Sequence, residues 1–197
     1  MDDETANPET GADAPLDLLD RATRGAGLLV AGVGPDQWHA PTPCEDMDVL
    51  GLVEHMIAAL DQFAEVGRGG QLDPTAQRPI LPDAAAEEYR TASDGMKSAW
   101  SAPGAIDRDH DMPWGATPGA ALVEFMFIEE VAHGWDLGRA TGQSSPFDED
   151  LVRLALDRAR QYDDETIRVP GMFGPAVDIA DDAPMIDRLA AFLGRHP

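Results

Sequence analysis

Apolar residues recur along most of this chain at three- and four-residue intervals, and those intervals predict helices. From Pro15 onward Leu16, Leu19, Ala22, Thr23, Ala26, Leu29 and Val30 fall on one stripe, which the glycine and proline of "GVGPD" should end. In "VLGLVEHMIAALDQFAEVG" the stripe is Val49, Leu52, Val53, Met56, Leu60 and Phe63, with Asp46 or Asp48 placed to cap the first turn and His55 at the stripe's margin. A third, weaker helix is predicted from about Pro82 to Trp100, where Gly95 interrupts the pattern. The fourth should run from about Pro118 to Thr141 with Gly142 as its stop. It carries Leu122, Phe125, Met126, Glu129, His133, Asp136 and Ala140 on one face and Phe127, Ile128, Val131 and Trp135 on another. A helix apolar on two sides belongs at the centre of its domain.

"PFDEDLVRLALDRARQY" and "APMIDRLAAFLGRHP" predict two shorter helices, separated by "RVPGMFGPAVDIADD", whose glycines and prolines predict a loop that wraps a surface. "DRDHDMPWGATPG" is equally rich in breakers and also reads as a loop. No strong run alternates with the period of a strand, and no segment repeats. The pattern therefore predicts an all-α fold in one domain over 14–197, with a bundle over about 14–142 and a C-terminal helical extension over about 143–197. Residues 1–13 hold almost no large apolar side chain, so they predict a disordered acidic tail.

Charge narrows the partners. With 37 acidic against 14 basic residues the net charge is −23, a field that repels phosphate backbones and anionic lipid headgroups. Nucleic acid and membrane surfaces are thereby set aside, and no 18-residue apolar run suits a membrane span. The acidic start lacks the basic-then-apolar order of a secretory signal, and Cys44, the one cysteine, can form no intrachain disulfide. A cytoplasmic protein with a small-molecule partner is the expectation. Lys97 is the sole lysine among many arginines, alanines, glycines and aspartates, a coding bias of GC-rich bacteria.

The chemistry concentrates in "IEEVAHGWDL". Glu129 and His133 stand four apart, so on a helix they present an oxygen and a nitrogen to one point in space. A divalent metal site and a structural hydrogen-bonded pair both fit that spacing. His55 is the candidate third ligand, since catalytic metal sites use three protein groups plus an open position, and bundles hold metals with inward-facing side chains from separate helices. Asp136 reads either as a partner orienting a ligating imidazole or as an ordinary charge near a helix end. Cys44, in a proline-flanked loop without basic neighbours, reads as unreactive. His110, among Asp107, Asp109 and Asp111, reads as part of a solvated loop, and His39 and His196 offer no fourth ligand. Trp38, Trp100, Trp114 and Trp135 read as core or loop anchors.

Three ordered motifs carry a resemblance. "TPCEDMDVLGLVEHM" resembles a signature of actinobacterial metal-binding proteins, "HGWDLGRATG" looks like their second signature, and "FGPAVDIADDAPMIDRLAAFLGRHP" is similar to their closing segment. These proteins belong with the DinB/YfiT-like bundles and with the N-terminal domain of mycothiol-dependent maleylpyruvate isomerase. The likeness runs from about Pro15 to Pro197, with Met47 standing where the family usually has tryptophan. It implies a DinB-like four-helix bundle holding one divalent ion at His55, Glu129 and His133. Zinc is the first choice and nickel the second, because two imidazoles and a carboxylate suit several ions. It also implies a low-molecular-weight thiol such as mycothiol as cosubstrate in an isomerase or S-transferase reaction. A metal-dependent hydrolase and a non-catalytic metal- or ligand-binding protein are the alternatives.

Overall fold

In a computed structural model, described for residues 14–44, 46–168 and 172–197, every long apolar stripe forms a helix. Helix α1 is Pro15–Ala31, α2 Val49–Gly67, α3 Ala85–Trp100 and α4 Gly119–Thr141. The predicted tail, residues 1–13, lies outside the described residues.

The ends of these helices follow from local chemistry. Pro15 opens α1, where its missing N–H costs nothing. Asp48, rather than Asp46, caps α2 by accepting from the Gly51 N–H at 2.9 Å. A 3-10 turn at Pro82–Ala84 leads into α3, which continues through Gly95 without a break. Gly142 ends α4 at φ +70°, a left-handed conformation that favours glycine.

Helix α1 packs along α4 and α2 along α3, α1 and α3 close a third side, and α2 meets α4 over a thinner seam. The result is a four-helix bundle whose core includes Leu18, Leu52, Ile57, Leu60, Phe127 and Ile128, all without solvent exposure beyond 1%. Helix α4 is buried on almost every side from Met126 to Gly138, as its two apolar faces require. Phe147, just beyond α4, wedges its ring between α1 and α4. A Cβ on Gly25 of α1 or on Gly134 of α4 would come within 2.5 Å of that ring. Polar contacts tie the same pair of helices, with the Gln143 side chain donating to the Leu29 carbonyl at 2.9 Å and Gln37 to the Thr141 carbonyl at 2.9 Å.

The C-terminal extension contains α5 (Glu149–Ala159), a single turn α6 (Asp164–Ile167) and α7 (Met185–Phe192), with α5 and α7 packed on each other and on α4. Among the described residues no helix is long and apolar enough to cross a membrane.

Two expectations need correction. "DRDHDMPWGATPG" is not all loop: β1 (Asp109–Met112) and β2 (Gly115–Pro118) pair antiparallel as a small hairpin. The breakers in Pro113-Trp114-Gly115 mark its turn, and His110 and Met112 alternate inward. His110 is accordingly buried, with Nε2 2.7 Å from the Ala105 carbonyl and its ring 4.8 Å from that of Trp100. Trp114, at the hairpin turn, is 64% exposed, whereas Trp38, Trp100 and Trp135 are buried anchors.

Candidate metal centre

The thin seam between α2 and α4 brings the three candidate ligands together. Glu129 and His133 lie one turn apart on α4, Nε2 of His133 3.3 Å from a Glu129 carboxylate oxygen. His55 of α2 faces them, its ring centroid 5.0 Å from that of His133 with the rings nearly perpendicular. One ligand atom from each of the three falls within 4.8 Å of the others. The centre of such a triangle is at most about 2.8 Å from each atom, so sub-ångström movements reach the ~2.0–2.2 Å of zinc bonds. The donor set of two imidazoles and one carboxylate therefore fits a divalent ion.

Behind the imidazole stands Asp136, which has no solvent exposure. Its Oδ2 lies 3.1 Å from His133 Nδ1, one turn further along α4. Arg195, from beyond α7, donates from Nε to Oδ1 at 3.3 Å and from its terminal nitrogen to Oδ2 at 2.9 Å. The sequence left Asp136 open between an orienting partner and an ordinary charge; its contact with His133 is that of an orienting partner. Arg195 escaped the sequence reading, because nothing in the spacing says which arginine points inward; only its place in the closing motif hinted at it.

The charges are mutually compensating. Burial opposes ionisation of Glu129, but the hydrogen bond with His133 and the charges of His133, His55 and Arg195 outweigh it and hold the carboxyl below its usual range. Burial likewise opposes the charged form of His133, yet its hydrogen bonds with Asp136, Cys44 and Glu129 raise its pKa well above the ordinary imidazole value. His55 moves the other way, lowered by burial and by His133 despite Glu129. Asp136 stays below its ordinary value because His133 and Arg195 overcome its burial. The raised pKa of His133 favours a proton on the nitrogen that faces Glu129.

Cys44 is not the isolated thiol its sequence neighbours suggest. Its sulfur, a His133 nitrogen and an Asp136 oxygen form a second group within 4.8 Å of one another. The basic neighbours come from α4 and the chain's closing segment, distant in sequence. A further pair was missed altogether: Glu130 is buried beside the centre and accepts a hydrogen bond from the Tyr89 hydroxyl of α3. His39 and His196 are exposed and stand apart from this cluster.

Comparison with known proteins agrees with this architecture. The family model described as the mycothiol maleylpyruvate isomerase N-terminal domain matches residues 19–138. Two uncharacterized proteins from two strains of Mycobacterium tuberculosis are each 32% identical over 184 residues, covering 92% of this chain and 97% of theirs. Among solved structures, the crystal structure of the mycothiol-dependent maleylpyruvate isomerase superposes with a TM-score of 0.58 at 16% identity, over 74% of this chain and 68% of that one. A histidine-to-alanine mutant of the same enzyme gives 0.57 at 15% identity. At such identity the structural likeness speaks for the fold, which is the DinB-like bundle.

Proposed function

The chain belongs to the family of the mycothiol maleylpyruvate isomerase N-terminal domain, and from that premise we propose that it is a divalent-metal enzyme acting with a low-molecular-weight thiol. Mycothiol is the candidate thiol, and an isomerase or S-transferase reaction is the class. The observation that carries the reading is the convergence of His55, Glu129 and His133 from two helices. These residues would hold the ion, zinc in the first place and nickel in the second. When bound, such an ion supplies Lewis acidity, which favours the thiolate form of a small thiol at neutral pH.

The chain's own contribution is positional. Asp136 accepts the Nδ1 proton of His133, which turns Nε2 toward Glu129 and His55. Glu129, kept ionised by its neighbours, supplies a single negative charge, leaving an excess positive charge beside a divalent cation for one anionic ligand. His133 and Asp136 are buried while Glu129 and His55 remain partly exposed, so a small thiol approaches from the α2 side.

Elemental analysis of protein purified without an affinity tag, followed by titration with zinc and nickel, tests the reading. We expect about one ion per chain, and a rise in melting temperature on adding mycothiol to the loaded protein alone. Protein that stays metal-free with both metals in excess would make Glu129 and His133 a structural pair and overturn the proposal.

A further inference from the structure

We propose that Arg195 is a positioning residue: it fixes Asp136, and through Asp136 the orientation of the His133 ring. The consequence for metal binding rests on the reading of His133 as a ligand; the orientation itself does not. A carboxylate sealed from water must be matched by charge and hydrogen bonds. The guanidinium of Arg195 provides both, lying across Oδ1 and Oδ2 of Asp136 in a two-point contact. That leaves Asp136 a single further task, accepting the His133 Nδ1 proton.

Arg195 is itself held from several sides. Its remaining terminal nitrogen donates to the Leu193 carbonyl at 3.1 Å, and its guanidinium stacks 5.3 Å from the centre of the Phe173 ring. Its backbone N–H bonds to the Ala190 carbonyl at 2.9 Å. Gly194, at φ +87°, turns the chain there, against the backbone of Gly174, where a Cβ would come within 2.6 Å. The guanidinium is therefore a fixed part of the protein, and its fork geometry is what a lysine lacks.

The geometry also separates the two overlapping donor groups around His133. Asp136 sits on the Nδ1 side and Glu129 on the Nε2 side, with Cys44 completing the Asp136 group and His55 the Glu129 group. An unbalanced Asp136 would be a second anion competing for a cation. Paired with Arg195 it is neutralised and kept as a hydrogen-bond acceptor, which directs an ion to Nε2.

The test compares Arg195→Leu and Arg195→Lys with Arg168→Leu. Arg168 anchors the same closing segment, donating to the carbonyls of Gly174 and Phe192, without touching Asp136. Two readouts are taken. One is the downfield NMR signal of the His133 Nδ1 proton in metal-free protein, which is protected from exchange only while Asp136 holds it. The other is zinc affinity by chelator competition. Arg195→Leu should lose or broaden the proton signal and weaken zinc about 10- to 100-fold, the usual effect of losing an orienting partner. Arg195→Lys should recover part of both, and Arg168→Leu should stay near wild type in both while melting earlier. An unchanged signal in Arg195→Leu, or an equal loss in Arg168→Leu, overturns the proposal. Should Arg195→Leu not fold, Arg195→Gln against Arg195→Lys decides by the same measurements. If wild-type protein binds no zinc, the metal reading fails and the proton signal still decides the role of Arg195.

Discussion

Replacing Glu130 with glutamine should make the metal-free protein more stable at neutral pH and nearly insensitive to it at acid pH. Glu130 is buried between α4 and α3, and burial drives its pKa from 4.5 up to about 7; the charge of Glu129 adds to the rise, while the Tyr89 hydrogen bond and His133 hold it back. Between those two values the folded protein binds more protons than the unfolded chain, so stability falls as pH rises through that window. At 1.36 kcal/mol per pKa unit, a shift of about 2.5 units is worth about 3 kcal/mol. Glutamine keeps the shape and can still accept from Tyr89, yet it has no charge to desolvate. The assay is urea unfolding of chelator-treated wild type and Glu130→Gln at several pH values from ~5 to ~8. The variant's advantage should grow by about 2.5 kcal/mol across that range, titrations remote from Glu130 cancelling in the difference. Parallel stability curves for the two proteins would refute the argument.

His133→Ala should remove most of the bound metal, whereas His110→Ala should leave metal content unchanged and cost about 2 kcal/mol through the lost bond to Ala105; metal analysis and unfolding curves read the two outcomes separately. Because His133 is raised well above the ordinary imidazole value, zinc must displace a proton at neutral pH, and affinity should decline as pH falls even above ~6.5. Calorimetry in buffers of different ionisation enthalpy should count about one proton released per zinc, and none released would contradict the charge state described for His133. Gly134→Ala should destabilise by about 1–3 kcal/mol through overlap with the Phe147 ring, a loss that denaturation midpoints would reveal.

The helices were legible because each is written in a local pattern: the stripe Leu52, Val53, Met56 and Leu60 repeats within a few residues, and Asp48 and Gly142 mark their ends by backbone chemistry. The convergence of His55 with Glu129 and His133 was legible only in part. Spacing gave the pair on α4, while placing α2 opposite needed the family's motifs. Arg195, the neighbours of Cys44 and the Tyr89–Glu130 pair share one reason for escaping notice: their partners lie on other elements, and no periodicity encodes a contact between elements. His110 failed differently. Its acidic neighbours point outward on a short hairpin, and only the pleat, two residues per repeat, turns the imidazole in toward Trp100.

The Phe147 ring has a mechanical consequence. Seated against Gly25 and Gly134, and reinforced where Arg21 of α1 clasps Asp148 at 2.9 Å, it bolts α1 to α4 so that neither can swing away without expelling a buried aromatic side chain. Among the described residues the α2–α4 seam has no such bolt, and α2 is packed chiefly on α3. The bundle thus has one braced pair, α1 with α4, and one pair, α2 with α3, whose edge beside α4 is held by packing alone and runs past His55. Any loosening of that edge would separate His55 from His133 before it disturbed the contacts of His133 with Glu129 and Asp136, which lie within α4. Backbone amides along α4 should accordingly exchange with solvent more slowly than those along the N-terminal half of α2.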